Sequence, residues 1–143
     1  MIYLVADHRG YKLKEQVKEY LKDQKIAFID GGANNEERSD VEAYVRDQVK
    51  YMYAHPKAKG IAICGTAMGA TLQANRFKKI RGVACYNEAM VVRAIEHNYM
   101  NILCMGSEYT KIDEAKKMIN AFLTTKPLPG RYLVRTHMLD EDL

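Results

Sequence analysis

The sequence predicts an α/β fold, a doubly wound five-stranded parallel sheet with helices on both faces and a short tail helix. Three observations carry this. Apolar runs of strand length alternate five times with segments of helical period along 143 residues. Gly60-Ile61-Ala62-Ile63 has no charged residue, as expected of a parallel strand buried on both faces. Strands separated by helices need crossovers, and right-handed crossovers favour a parallel sheet sandwiched between helices, a three-layer arrangement. The order 2-1-3-4-5 is expected, with the switch point between strands 1 and 3.

Taken in order, residues 2–6 read as the first strand and 12–22 as the first helix, followed by strand 26–30 and helix 41–53. The third unit is strand 61–64 with helix 70–77, the fourth strand 83–85 with helix 89–96, and the fifth strand 101–105 with helix 113–123. Pro127, Pro129 and Gly130 then break the chain before residues 131–138, where the spacing of Leu, Val and Met suggests an amphipathic helix. Arg131 and Arg135, four apart, share one face of it.

The length fits one domain, residues 1–143, able to bury a core without disulfide or metal support. A net charge of +4 is mild and scattered, which suits an anionic small molecule without requiring nucleic acid. No run approaches the roughly 18 apolar residues of a membrane span, and the N-terminus enters a strand instead of a signal peptide, so a cytoplasmic protein is expected. Three cysteines without a C-x-x-C pair or a zinc-spaced cluster suggest reduced thiols, no metal and no cofactor. Cys85 and Cys104 read as buried strand residues.

Chemistry concentrates where Cys64 ends a strand and Gly65-Thr66-Ala67-Met68-Gly69 turns into a helix. Turn amides at a helix N-terminus face an anion and favour a nearby thiolate. The switch point directs Asp7, His8 and Arg9, after strand 1, and Cys64, after strand 3, to one crevice. His97-Asn98 closes the fourth helix, where the dipole favours a protonated imidazole. A buried strand cysteine and a helix-capping His-Asn pair are the plainer readings. The Gly65–Gly69 loop lacks a following Lys-Ser/Thr, no G-x-G-x-x-G follows strand 1, and no G-x-S-x-G occurs, which disfavours nucleotide and serine-hydrolase chemistry.

These residues resemble the type B ribose-5-phosphate isomerases and the related galactose-6-phosphate isomerase subunits. The shared motifs are Ala6-Asp7-His8-Arg9-Gly10-Tyr11-Lys12-Leu13-Lys14, Cys64-Gly65-Thr66 with Gly69, Ala74-Asn75, Ile80-Arg81-Gly82, His97-Asn98 with Asn101, and Gly130-Arg131 with Arg135. The resemblance implies a Rossmann-like fold, a homodimer or tetramer with sites at the subunit interface, and metal-free aldose–ketose isomerisation of a pentose or hexose phosphate through a cis-enediol. It would make Cys64 the base that moves the proton, His97 the ring-opening group with help from Thr66, and Asn98 a positioner of a substrate hydroxyl. The amides from Gly65 to Ala70, Gly69 included, would stabilise the enediolate. Asp7 would hold hydroxyls, while His8, Arg131 and Arg135 would hold the phosphate.

Three departures stand out. Where the family commonly has Leu-Gly-x-Arg, this chain has Met105-Gly106-Ser107-Glu108; Asp40-Val41-Glu42 replaces Asp-Tyr-Pro; and Gly130-Arg131-Tyr132 replaces Gly-Arg-His. A carboxylate near a phosphate is repulsive unless neutralised, so Arg9 is expected either to supply the lost charge or to pair with Glu108. The alternative function is a non-catalytic sugar-phosphate binding subunit of a hetero-oligomeric isomerase. A nucleic-acid binder is disfavoured because no basic stripe or aromatic platform is present.

Overall fold

The computed structural model describes residues 1–143 and contains five strands and six helices. In chain order these are β1 (Ile2–Ala6), α1 (Tyr11–Asp23), β2 (Phe28–Asp30), α2 (Val41–Ala54), β3 (Lys59–Cys64) and α3 (Met68–Ala74). There follow β4 (Gly82–Ala84), α4 (Glu88–Asn98), β5 (Ile102–Gly106), α5 (Ile112–Thr124) and α6 (Arg131–Met138). No helix is long and apolar enough to cross a membrane.

All strand pairs are parallel, and the order is β2-β1-β3-β5-β4. The expected fold class holds, with one correction: the last two strands exchange places. The cause is visible in burial. All five residues of β5 are buried, whereas β4 is three residues long with Val83 and Ala84 only half-buried. The strand that can be covered on both faces takes the interior, and the short one takes the edge. The switch point between β1 and β3 is unaffected.

Side-chain alternation divides the core into two layers. Leu4 and Ala6 of β1, Ile61 and Ile63 of β3, and Leu103 and Met105 of β5 pack towards α1, α4 and α5. Val5, Ala62, Cys64 and Cys104 face α2 and α3 with Val41, Val45, Val49, Ala70 and Ala74. The Cys64 side chain is thereby assigned to the α2/α3 face. Gly10 opens α1 hard against β3, because a Cβ there would stand 2.2 Å from the Ile63 carbonyl oxygen.

Lys14 on α1 is fully buried, and its Nζ donates to Asp30 Oδ1 at 2.7 Å and to Glu15 Oε2 at 3.1 Å. Lys18 lies 2.8 Å from Asp30 Oδ2, and Asp30 also accepts from the Gly32 amide at 2.9 Å. A buried ammonium is tolerated because it is paired and hydrogen-bonded. The network ties α1 to the end of β2.

Candidate active site

The register pairs Ala6 with Ile63 and Cys64 with Gly106, so the ends of β1, β3 and β5 meet at one edge of the sheet. Asp7, His8 and Arg9 leave β1 there, and the turn from Gly65 to Ala67 leaves β3, as the switch-point expectation required. Asp7 is 8% exposed; its Oδ1 accepts from the Arg9 and Gly10 amides at 3.0 Å each, while Oδ2 makes no hydrogen bond within the chain. The His8 amide donates to Ser39 Oγ at 3.1 Å. His8 Nδ1 lies 3.1 Å from the Ser39 carbonyl oxygen and 3.2 Å from its amide nitrogen, and the ring tautomer selects between them.

Cys64 is 5% exposed and belongs to the layer under α3. Cys85 and Cys104 are pushed up to about 12 by burial, which keeps both thiols protonated and inert at neutral pH. Cys64 is therefore the thiol at the sheet edge that stands beside a helix-opening turn.

The turn itself is clamped. The carbonyls of Cys64, Gly65 and Thr66 accept, respectively, from the Ser107 amide at 2.8 Å, the Glu108 amide at 2.9 Å and the Tyr86 hydroxyl at 2.8 Å. In a planar trans peptide the N–H points opposite to the C=O. Each clamped carbonyl thus sets the next amide, and the N–H groups of Gly65, Thr66 and Ala67 have no acceptor within the chain. They are oriented donors beside a thiol, the arrangement that stabilises an oxyanion formed by proton abstraction next to a carbonyl. Ala67 stands at φ 71°, a left-handed conformation that costs an L-residue about 1–2 kcal/mol. Thr66 Oγ1 accepts from the Met68 amide at 3.3 Å, which leaves its own proton free to donate.

Gly69 and Ala70 lie in the first turn of α3. Gly69 sits beside α2, where an added Cβ would be 3.5 Å from Glu42 Oε1 and 3.7 Å from Val41 Cγ1, and Ala70 is buried. The guanidinium of Arg9 covers Gly65 so closely that a Cβ there would come within 2.6 Å of it. Arg9 Nη2 pairs with Glu108 Oε1. Of the two roles expected for Arg9, the chain realises the ion pair with Glu108.

His97, Asn98, Arg131 and Arg135 are not at this edge. α4 starts at the C-terminal edge of the sheet and runs back for 11 residues, about 16 Å at 1.5 Å per residue. His97 consequently lies near the opposite edge, where the Asn101 carbonyl accepts from Gly60 at the start of β3. The His97 ring stacks on Tyr132 of α6 at 4.6 Å between centroids with 6° between planes. The Arg131 and Arg135 guanidinium groups lie 5.1 and 5.8 Å from the centre of the Tyr132 ring. Asn98 is exposed. The predicted residues therefore form two groups at opposite ends of one sheet.

Three supporting residues escaped the sequence reading: Ser39, which holds His8; Tyr86, which holds the Thr66 carbonyl; and Tyr132 as a stacking partner for His97. Tyr86 had one available signal, its position two residues past the end of β4 and so at the same sheet edge. Ser39 had none, because its contact with His8 spans 31 residues.

The sequence profile of the Ribose/Galactose Isomerase family matches residues 2–139. A ribose-5-phosphate isomerase B of Escherichia coli is 30% identical over 134 residues, covering 94% of this chain and 90% of its own. The crystal structure of a Thermotoga maritima ribose 5-phosphate isomerase matches with a TM-score of 0.96 at 33% identity, covering 99% of this chain and 97% of that one. A Mycoplasma genitalium ribose-5-phosphate isomerase B with bound ribulose-5-phosphate matches with a TM-score of 0.91 at 26% identity, covering 96% and 92%.

Proposed function

We infer, from the premise that this chain belongs to the ribose/galactose isomerase family, how its residues move a proton between adjacent carbons of a phosphorylated sugar. The chain is an aldose–ketose sugar-phosphate isomerase. Its proposed substrate pair is a pentose phosphate of the ribose/ribulose 5-phosphate type, the ligand class bound by the Mycoplasma genitalium relative. The observation that carries the mechanism is the juxtaposition of Cys64 with three unpartnered amides.

In the proposed reaction the Cys64 thiolate takes the proton from C2 of the open-chain aldose. The C–H electron pair forms the C1=C2 bond, and the carbonyl pair moves onto O1. The Gly65, Thr66 and Ala67 amides meet that oxygen, at about 3–4 kcal/mol of barrier lowering per well-placed donor. A proton passes from O2 to O1, and the Cys64 thiol returns its proton to C1 to give the ketose. A base matched to the working pH adds a factor of roughly 10² to 10⁴. Thr66 is positioned to donate from its hydroxyl, and the free Oδ2 of Asp7 to accept from sugar hydroxyls.

His97 with Asn98, Arg131 and Arg135 would serve ring opening and phosphate binding on a second copy of the chain, since in one copy they stand at the wrong end of the sheet. Exposed apolar side chains support such an association: Met68 and Leu72 on α3, beside Cys64, and Val134 and Met138 on α6, beside the arginines.

Incubation with a panel of aldose and ketose phosphates in deuterated water tests the assignment. Deuterium is expected at the carbon next to the carbonyl for at least one substrate, and the exchange is expected to vanish in Cys64→Ala. Undiminished exchange in that variant removes Cys64 as the base. No exchange with any sugar phosphate favours the binding-subunit alternative.

A further inference from the structure

Tyr86 lies two residues past the end of the edge strand β4. Its hydroxyl donates to the Thr66 carbonyl at 2.8 Å, and its half-buried ring packs in the layer that contains Cys64. Tyr109 meets it edge-on at 5.5 Å and 83°. The other two carbonyls of the turn are held by backbone amides of residues 107 and 108, which no side-chain change removes. The Thr66 carbonyl depends on a side chain. It also precedes Ala67, whose φ of 71° is left-handed.

The peptide plane between Thr66 and Ala67 carries both the clamped carbonyl and the Ala67 N–H. Relaxation of Ala67 towards negative φ would rotate that plane and turn the N–H away. The Tyr86 bond opposes the rotation. Burial, with smaller contributions from Tyr109 and the three cysteines, holds the Tyr86 hydroxyl above its ordinary pKa, so it remains a donor through neutral and mildly alkaline pH.

We propose that Tyr86 is a positioning residue: by holding the Thr66 carbonyl, its hydroxyl keeps the Ala67 amide directed at the oxygen that becomes negative during proton transfer. This rests on the isomerase mechanism proposed above and makes part of its amide set depend on a side chain from the loop after β4.

Tyr86→Phe keeps the ring and removes the bond. Its kcat is expected to fall about tenfold, less than the roughly 10²–10³-fold of deleting a donor outright, with KM changed less than about twofold. In an Ala67→Gly background the left-handed conformation carries no Cβ penalty. There the same Tyr86→Phe change is expected to cost under about threefold, measured against the Ala67→Gly enzyme and interpreted as a double-mutant cycle. Unchanged kcat in Tyr86→Phe overturns the proposal, as does an equal cost in both backgrounds or a loss confined to KM.

A readout independent of turnover separates this proposal from the mechanism beneath it. The amide resonances of Gly65, Thr66 and Ala67 in ¹⁵N-labelled protein are expected to broaden or shift in Tyr86→Phe, with the Ala67 signal most affected. If those resonances are unmoved, Tyr86 does not hold the turn. If they move while Cys64→Ala retains full exchange activity, the positioning stands and the assigned base falls.

Discussion

At the scale of single residues, the Arg9–Glu108 pair is the departure with the clearest consequence. A free guanidinium next to Gly65 would attract a phosphate, and Glu108 neutralises it. Both side chains are about half exposed, so water screens the pair and its effect is modest. Glu108→Gln should therefore lower KM for a sugar phosphate by about two- to fivefold at low salt, and the gain should fade as salt rises. Arg9→Met in the same background should remove it. Inhibition by inorganic phosphate, titrated at two ionic strengths, checks both variants; a Glu108→Gln enzyme with unaltered phosphate inhibition would place the pair outside the binding site. The sequence exposed the changed sign at 108 and the two roles open to Arg9. It could not choose between them, since the contact joins loops a hundred positions apart.

Among the elements, the turn after β3 depends on its neighbour β5. A Cβ at Gly106 would stand 2.6 Å from the Thr66 carbonyl carbon and 3.0 Å from the Ala67 nitrogen, both backbone atoms. Gly106→Ala must displace the clamped turn, and overpacking of this kind costs about 1–3 kcal/mol. Its kcat should fall further than its urea midpoint suggests, because the displaced atoms include the free amides. The link from α1 to β2 makes a different prediction. Burial works to raise the Asp30 carboxyl, and the bonds from Lys14, Lys18 and the Gly32 amide outweigh it, so its pKa lies below the usual carboxylate value. A group depressed in the folded state stabilises fully above its unfolded pKa, about 3.9, and loses that contribution as pH falls through the folded value. Urea midpoints recorded between neutral pH and pH 2 should drop below about pH 4 in the native chain and drop less steeply in Asp30→Asn. An equal slope in both would show that the network does not set the acid limit. Helix and strand identities were all legible from apolar spacing, with every boundary within three residues of the observed one.

For the whole molecule, the separation of Cys64 from His97 is the dominant fact. If the working site joins the β3 turn of one copy to α4 and α6 of another, Cys64→Ala and His97→Asn subunits should complement each other. Random reassortment of a twofold dimer yields mixed species with one intact site each, so about a quarter of native activity should return on mixing. Activity that stays at the level of the inactive parents would confine the site to one copy or remove His97 from it. The sequence by itself determined the α/β class, the parallel sheet, the β1/β3 switch point and the thiol-bearing turn, because these follow from local periodicity and from the handedness of crossovers. Tertiary structure decided the exchange of β4 and β5, the pairing of Arg9 with Glu108, the clamping of three carbonyls by the two residues after β5 and by Tyr86, and the division of the candidate site residues between the two ends of the sheet. Those depend on burial competition among strands and on contacts far apart in the chain, which no local pattern of residues encodes.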